Sequence, residues 1–320
     1  MTEPVVSIIV VNWNTRELLR GCLASVYEHT RVLSFEVIVI DNGSEDGSQE
    51  MVREEFGEVR LIANENNHGF AAANNQGMAA ARGKYVLLLN SDTVVLDAAI
   101  EKTVAFAEAH PEAAVTGCRV LNEDRTLQQT CFMYPSLLNL ILSSSYLYKL
   151  FPRSRFFGRE RMTWWDRNDE REVEVVTGCY MLVRREAIDQ IGTMDEQFFM
   201  YAEETDWCYR FAKAGWKCLF TPVAQIVHLG GGSSRRVRPL MRMQLSGSTL
   251  LFFHKNKPRW QHGLACLLIA MFFLCRTPYW FGRGMLNAAE RHEYFVTART
   301  YWTAGLRCLT GGGSLCISKE

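Results

Sequence analysis

A chain of 320 residues with 48% apolar and 22% charged side chains can bury a large core, which excludes both a disordered segment and a small disulfide-stapled scaffold. No basic region precedes an apolar stretch at the N-terminus, and the ten cysteines show no Cys-x-x-Cys or metal-finger spacing. Reduced, partly buried thiols in a cytoplasmic protein are therefore expected. The formal net charge is zero, yet no Asp or Glu occurs from Trp207 through Ala289, while basic residues run from Arg210 to Arg283. An acid-free basic stretch of that length seeks phosphate, anionic lipid or nucleic acid.

Strands and helices alternate through the first third of the chain. Val5–Val11 is apolar except for Ser7, as befits a parallel strand buried on both faces. Leu18, Leu19, Cys22, Leu23 and Val26 then recur at helical spacing. Phe35–Ile40 is a second strand, and the loop Asp41–Gly47 leads into a helix near Ser48–Phe56 with Asp46 or Ser48 as its cap. Val59–Ala63 is a third strand, followed by an alanine-rich helix over Ala71–Ala81 that stops at Gly83. Tyr85–Leu89 is a fourth strand, and Ala98–His110 a helix ended by Pro111. Such alternation predicts an α/β fold with a doubly wound, mostly parallel sheet. Right-handed crossovers put the ends of the first, second and fourth strands on one side.

After Val115 the pattern loosens. Leu137–Asp169 reads as a partly helical excursion over the active-site face. Order returns with Val173–Val176, Tyr180–Val183, a helix at Glu204–Ala214, and strands at Trp216–Thr221 and Gln225–His228. A glycine-rich loop after Leu229 runs into Arg235 and Arg236, which serve either as a lid over a phosphate ligand or as an ordinary loop tip.

Acidic residues stand where apolar strands end, and in open α/β sheets those ends line the ligand crevice. Asp41 closes the second strand and suits either a base or ribose contact or a turn. Asn90-Ser91-Asp92 closes the fourth, its amide and carboxylate two residues apart and so on one face. Asp92 could hold a divalent cation, with Asn90 on the ribose or behind the metal; His228, at the end of its own short strand, becomes a second ligand beside such a site. Glu203-Glu204-Thr205-Asp206 opens a helix. Capping and an Asp206–Arg210 pair would explain part of this cluster, and a general base the rest.

With these residues in place, the chain resembles a family 2 inverting glycosyltransferase of the GT-A fold, of the rhamnosyltransferase-like branch. The resemblance rests on Val10–Asn14, Ile40–Ser48, Asn67–Gly77, Leu88–Asp92, Gly192–Tyr201, Glu204–Trp207 and Val227–Ser233, and covers roughly residues 5–255. It implies transfer of a sugar from a nucleotide diphosphate donor (a dTDP- or UDP-sugar) to a glycan or lipid-linked acceptor in cell-envelope polysaccharide synthesis, with no nucleic-acid partner. It also implies that Asp41 contacts the base, that Asp92 and His228 bind Mn2+ or Mg2+, and that Glu204 is the base, with Asp206 or Glu203 its competitor. Val11, Asn12, Asn14, Asn67, Gly69, Asn74, Asn90, Ser91, Arg235 and Arg236 then surround the nucleotide sugar. Two departures stand out: Asn90-Ser91-Asp92 replaces Asp-x-Asp, and Glu204 stands where relatives carry Asp.

The domains expected are a catalytic one over 1–257 and a helical, membrane-associated region over 258–320. Leu264–Cys275, an apolar run bounded by aromatic and basic residues, spans roughly 18 Å as a helix, short of the roughly 30 Å hydrocarbon core. It reads as an interfacial element at the inner face of the cytoplasmic membrane, with a homodimer interface or a buried helix as the other readings. A sugar nucleotidyltransferase shares the sheet but needs a Gly/Arg/Lys-rich phosphate loop near Val11, where this chain has Asn12-Trp13-Asn14. A non-catalytic nucleotide-sugar-binding scaffold remains the alternative if the metal site is dead.

Overall fold

The computed structural model describes residues 3–230 and 238–310. They group into two compact units: Met1–Tyr134, Arg161–Gln197 and Glu203–Ser233 form the first, and Pro135–Glu160, Phe198–Ala202 and Ser234–Glu320 the second.

The first unit opens with the expected β1 (Val6–Asn12), α1 (Arg16–His29), β2 (Phe35–Asn42), α2 (Ser48–Glu55), β3 (Arg60–Asn64), α3 (Phe70–Ala80) and β4 (Tyr85–Asn90), then an unanticipated β5 (Thr93–Val95) before the expected α4 (Ala99–Ala109). The chain continues through β6 (Ala113–Leu121), β7 (Cys131–Phe132), α5 (Leu137–Ser145), α6 (Leu147–Leu150), β8 (Arg171–Val173), β9 (Val175–Val176), β10 (Tyr180–Arg184), α7 (Arg185–Ile191), α8 (Glu203–Lys213) and β11 (Lys217–His228). Strand order in the main sheet is β3-β2-β1-β4-β10-β6-β11-β5, with β8 on β11; β7 and β9 form a separate pair. β1, β2, β3 and β4 are parallel neighbours, whereas β10 runs antiparallel between β4 and β6.

The near-continuous apolar strands follow from burial on both faces. Val6, Ile8 and Val10 of β1 join one core with Leu19 and Leu23 of α1, Met51 of α2 and Ile100 of α4. Ile9 of the same strand joins a second core with Ala71 and Met78 of α3, Ile188 of α7 and Trp207 and Phe211 of α8. Alternate residues point to opposite faces, so each strand feeds both layers. Gly77 sets the closeness of α3: a Cβ there would sit 2.5 Å from the Ile9 side chain.

Several expectations change. Where the pattern loosens after Val115, β6 runs on to Leu121, with Thr116 and Gly117 buried inside the sheet. The run Val173–Val176 divides between β8 and β9, in different sheets. Trp216–Thr221 and Gln225–His228 are one strand, β11, whose register slips at Thr221/Gln225 to accommodate Pro222.

The second unit is helical. Besides α5 and α6 it contains α9 (Arg238–Asn256), α10 (Arg259–Leu286) and α11 (Arg291–Leu309). Leu250 and Phe253 of α9, Ala265, Ala270 and Phe273 of α10, and Tyr301, Ala304 and Cys308 of α11 share its core. Hence the boundary expected at residue 257 falls between α9 and α10, inside this unit. α10 and α11 approach closely at Gly305, where a Cβ would lie 2.6 Å from Leu274. α10 has 28 residues, about 42 Å at ~1.5 Å per residue, with Pro278 inside it. By length and composition it is the one described helix able to cross a membrane, with 28% of its most apolar window buried.

Candidate active site

The strongest juxtaposition lies where β4 gives way to β5. The Thr93 hydroxyl donates to the Asn90 carbonyl (2.7 Å) and tightens the turn through Ser91 and Asp92. β5 then pairs antiparallel with the end of β11, His228 opposite Thr93, and the Leu229 N–H donates to the Asp92 carbonyl at 2.9 Å. This pairing carries His228 to Asp92: Nε2 lies 3.1 Å from Oδ1, with side chains 16% and 13% exposed. The Asn90 amide nitrogen is 3.3 Å from the same Nε2.

A carboxylate oxygen and an imidazole nitrogen at that separation repel unless a proton or a cation serves both. As a donor set, one carboxylate and one imidazole suit Mn2+ or Mg2+ with the remaining positions left to phosphate oxygens and water. Among the described residues no group of three or more His, Cys, Asp or Glu could hold a metal.

A second network joins β1 to β2, which place Asn12 beside Asp41. Asn12 is fully buried; its amide donates to Asp41 Oδ2 (2.8 Å) and Ser44 Oγ (3.1 Å). Asp41 Oδ1 accepts from the Ser44 N–H (2.9 Å) and the Gln49 amide (2.8 Å). Asp41 is 1% exposed, and its three protein donors fix its carboxylate at this edge. Asn14, at φ 54, donates its N–H to Ser44 Oγ and accepts from the Glu45 N–H. Val11 is partly buried beside it. The Thr15 hydroxyl donates to Asn12 Oδ1 at 2.6 Å and lies 2.9 Å from the Ser91 hydroxyl, linking this network to the β4 end. At the next turn Asp46, rather than Ser48, is the acceptor, taking the Ser48 N–H at 3.1 Å.

Asn67 Oδ1 accepts from the Gly69 N–H at 2.9 Å and fixes the entry to α3, where Gly69 has φ +83. Asn74 departs from expectation. It is 1% exposed and donates to the Phe70 carbonyl one turn back, so its side chain serves the helix rather than the crevice. Its neighbour Asn75, not anticipated, holds the segment after α7 through the Met194 carbonyl (2.9 Å), the Met194 N–H (3.0 Å) and the Glu196 carboxylate (3.0 Å). Arg235 and Arg236 lie outside the described residues.

The acidic opening of α8 divides by role. Asp206, 2% exposed, pairs with Arg210 at 2.8 Å, and Arg210 also donates to the Ile191 and Thr193 carbonyls. This pairing gives Asp206 a structural role beside Arg210. Glu203 (4% exposed) and Glu204 each have a buried Oε2 with no hydrogen-bond partner. Burial pushes both carboxyls up, Glu203 well above the ordinary range with Glu204's charge adding to the effect. The carbonyl of Cys179, just before β10, accepts the Asn90 N–H at 3.1 Å, and burial pushes the Cys179 thiol up to about 11.

A mostly parallel sheet with its polar networks at the strand ends, and a carboxylate–imidazole pair among them, is the architecture of a GT-A glycosyltransferase. A mannosyltransferase from Pyrobaculum calidifontis, solved with GDP-mannose and Mn2+, shares this fold: TM-score 0.56 and 15% identity, over 97% of this chain and 88% of that one. GalNAc-T7, solved with UDP, GalNAc and Mn2+, gives TM-score 0.53 and 16% identity over 72% of this chain and 44% of its own. The sequence profile described as "Glycosyl transferase family 2" matches residues 7–192, more than half of the chain, and the protein belongs to that family. Within it the chain is rhamnosyltransferase-like. It is 28% identical to the N-acetylglucosaminyl-diphospho-decaprenol L-rhamnosyltransferase of Mycobacterium tuberculosis over 250 residues, 74% of this chain and 79% of that one. It is also 28% identical, over 72% of its own length, to 18% of the O-antigen biosynthesis protein RfbC of Myxococcus xanthus.

Proposed function

We propose that this glycosyltransferase moves a sugar, rhamnose on the strength of its mycobacterial relative, from a dTDP- or UDP-linked donor to a hydroxyl of a lipid-linked or cell-envelope glycan. The carrying observation is the approach of His228 to Asp92 at 3.1 Å beside the β4 end. Mn2+ or Mg2+ bound by these two side chains would neutralise the charge developing on the diphosphate leaving group. Asn12, Asp41 and Ser44 hold the neighbouring edge rigid where a nucleoside would lie. Glu204 takes the proton of the acceptor hydroxyl; its position at the start of α8 and its raised carboxyl suit a base that must ionise and then bind a proton.

Titration calorimetry of UDP and dTDP with and without Mn2+, on the wild type and Asp92→Ala, tests this reading. Metal-dependent binding that disappears in the variant is the expected result, and equal affinity in both refutes the metal assignment. A donor-hydrolysis screen over several sugar nucleotides then identifies the donor without the acceptor.

The second unit supports a place at the inner face of the cytoplasmic membrane. Trp260, Leu264, Leu267 and Met271 of α10 are exposed, and Lys255, Lys257 and Arg259 precede them. An apolar helix face with basic neighbours favours an anionic bilayer surface.

A further inference from the structure

Beyond β6 the chain turns back on itself. The Asn122 N–H donates to the Thr126 carbonyl (2.8 Å) and the Gln128 N–H to the Val120 carbonyl (2.9 Å), which lays Gln128 beside the end of β6. β11 is the parallel neighbour of β6, with Val227 opposite Leu121, so Gln128 also meets His228. The distance from His228 Nδ1 to Gln128 Oε1 is 2.6 Å.

The direction of every hydrogen bond in this turn can be worked out from one end. Asp124 is exposed, and the Thr126 hydroxyl and N–H hold its carboxyl below the usual range, so it is ionised and only accepts. The single hydroxyl proton of Thr126 goes to Asp124 Oδ1 (2.5 Å). Thr126 Oγ1 must therefore accept from its other neighbour, which makes the Asn122 atom 2.9 Å away the amide nitrogen. Asn122 then presents Oδ1 to Gln128, and the Gln128 nitrogen donates to it at 2.8 Å, with its second proton directed to the His228 carbonyl at 3.3 Å. What remains facing the imidazole is Gln128 Oε1, which only accepts. Nδ1 must carry a proton, and in the neutral ring Nε2 carries the lone pair.

We infer that Gln128 is a positioning residue: with Asn122, Thr126 and Asp124 behind it, it holds the Nδ1–H of His228 and so makes Nε2 the ring nitrogen that faces Asp92. The inference rests on the metal reading given above for its use, though not for its geometry. A ligating histidine needs its other ring nitrogen held by an acceptor, and such outer partners typically affect metal affinity 10- to 100-fold. Here that partner is a neutral amide whose orientation is dictated by a carboxylate three hydrogen bonds away.

The test uses the full-length, metal-free protein with 15N-labelled histidine at pH 8. Long-range 1H–15N spectra should show His228 in the wild type with Nδ1 protonated. Gln128→Met, close in volume but unable to accept, should mix or invert the tautomers and weaken Mn2+ binding in the presence of UDP or dTDP about 10- to 100-fold. Gln128→Glu keeps an acceptor and should restore the tautomer. If Gln128→Met does not fold, Asn122→Leu removes the group that orients the amide and is read in the same way. An unchanged His228 spectrum and unchanged Mn2+ affinity in these variants overturn the inference. His228→Ala separates the two readings: intact Mn2+ affinity there removes the metal assignment, while the metal-free tautomer still decides the role of Gln128.

Discussion

Glu204 and Asp206 stand two residues apart on α8, and the structure gives them opposite fates on mutation. Glu204→Gln is nearly isosteric and removes only the capacity to take a proton. General-base catalysis contributes about 10²–10⁴ in rate, so turnover should fall by that factor, or about 3–5 kcal/mol in the barrier. Donor affinity and Tm should hold, since Oε2 has no hydrogen-bond partner to lose. Asp206→Asn should do the reverse. It removes the charge of a pair whose carboxylate is 2% exposed and whose guanidinium is 28% exposed. Breaking a fully buried pair costs about 3–5 kcal/mol; the exposure of Arg210 reduces this to about 2–3 kcal/mol. At about 2–4 °C per kcal/mol for a domain of this size, Tm should drop by roughly 4–12 °C. Scanning fluorimetry and single-turnover donor consumption separate the two outcomes. If Asp206→Asn is as stable as the wild type but inactive, while Glu204→Gln turns over within about tenfold of normal, the division of roles is reversed.

Glu203 adds a pH dependence. Its folded-state pKa is raised by burial and by Glu204, so the stability it contributes is complete below the ordinary carboxyl value of 4.5 and is lost as pH rises toward the folded value. Glu203→Gln, which cannot ionise, should therefore raise Tm at pH 8 and change it little at pH 4.5; equal effects at both pH values would rule out titration as the source. Asn12→Ala strips a donor from Asp41 and an acceptor from Thr15 in a fully buried network. It should cost about 1–3 kcal/mol and weaken nucleotide binding, and calorimetry showing unaltered binding would move the nucleoside away from this edge. Charge reversal at Lys255, Lys257 and Arg259 should release the protein from anionic vesicles at low salt, each charge being worth about 1 kcal/mol. Retention by vesicles in that variant would leave the apolar face of α10 as the sole anchor.

The strands buried on both faces were legible because covering both sides forces a continuous apolar run. β6 was not legible as a strand, since Thr116, Gly117 and Arg119 break its apolar run. The antiparallel insertion of β10 had no signal at all: Tyr180–Val183 reads the same in either direction. Asp92 and His228 were singled out through strand ends and family likeness, and the pairing of β5 with β11 brings them together. Asn74 and Asn75 show the limit of that likeness. Successive helical residues differ by about 100° around the axis, so one amide turns into α3 and the other reaches the Met194 segment. Gln128 carried no sequence signal because its meaning comes from a turn and a neighbouring strand that meet only in the folded sheet. α10 was legible as a twelve-residue run, but Pro278 does not end it and it reaches Leu286.

The replacement of an expected aspartate by Asn90 makes physical sense beside this histidine. A second carboxylate next to Asp92 would strengthen a cation's hold, yet leave two like charges at the β4 end whenever the cation departs with the leaving group. The Asn90 amide nitrogen instead lies 3.3 Å from Nε2, on a ring whose other nitrogen is held by Gln128. If Asp92 and His228 hold a cation as proposed, one carboxylate, one oriented imidazole and one neighbouring amide would keep the site ordered when it is empty. Weaker charge at the ligands is offset by stricter orientation behind them. The polar turn from Asn122 to Gln128 is thus part of how the end of β4 is built, although none of its residues needs to touch the donor.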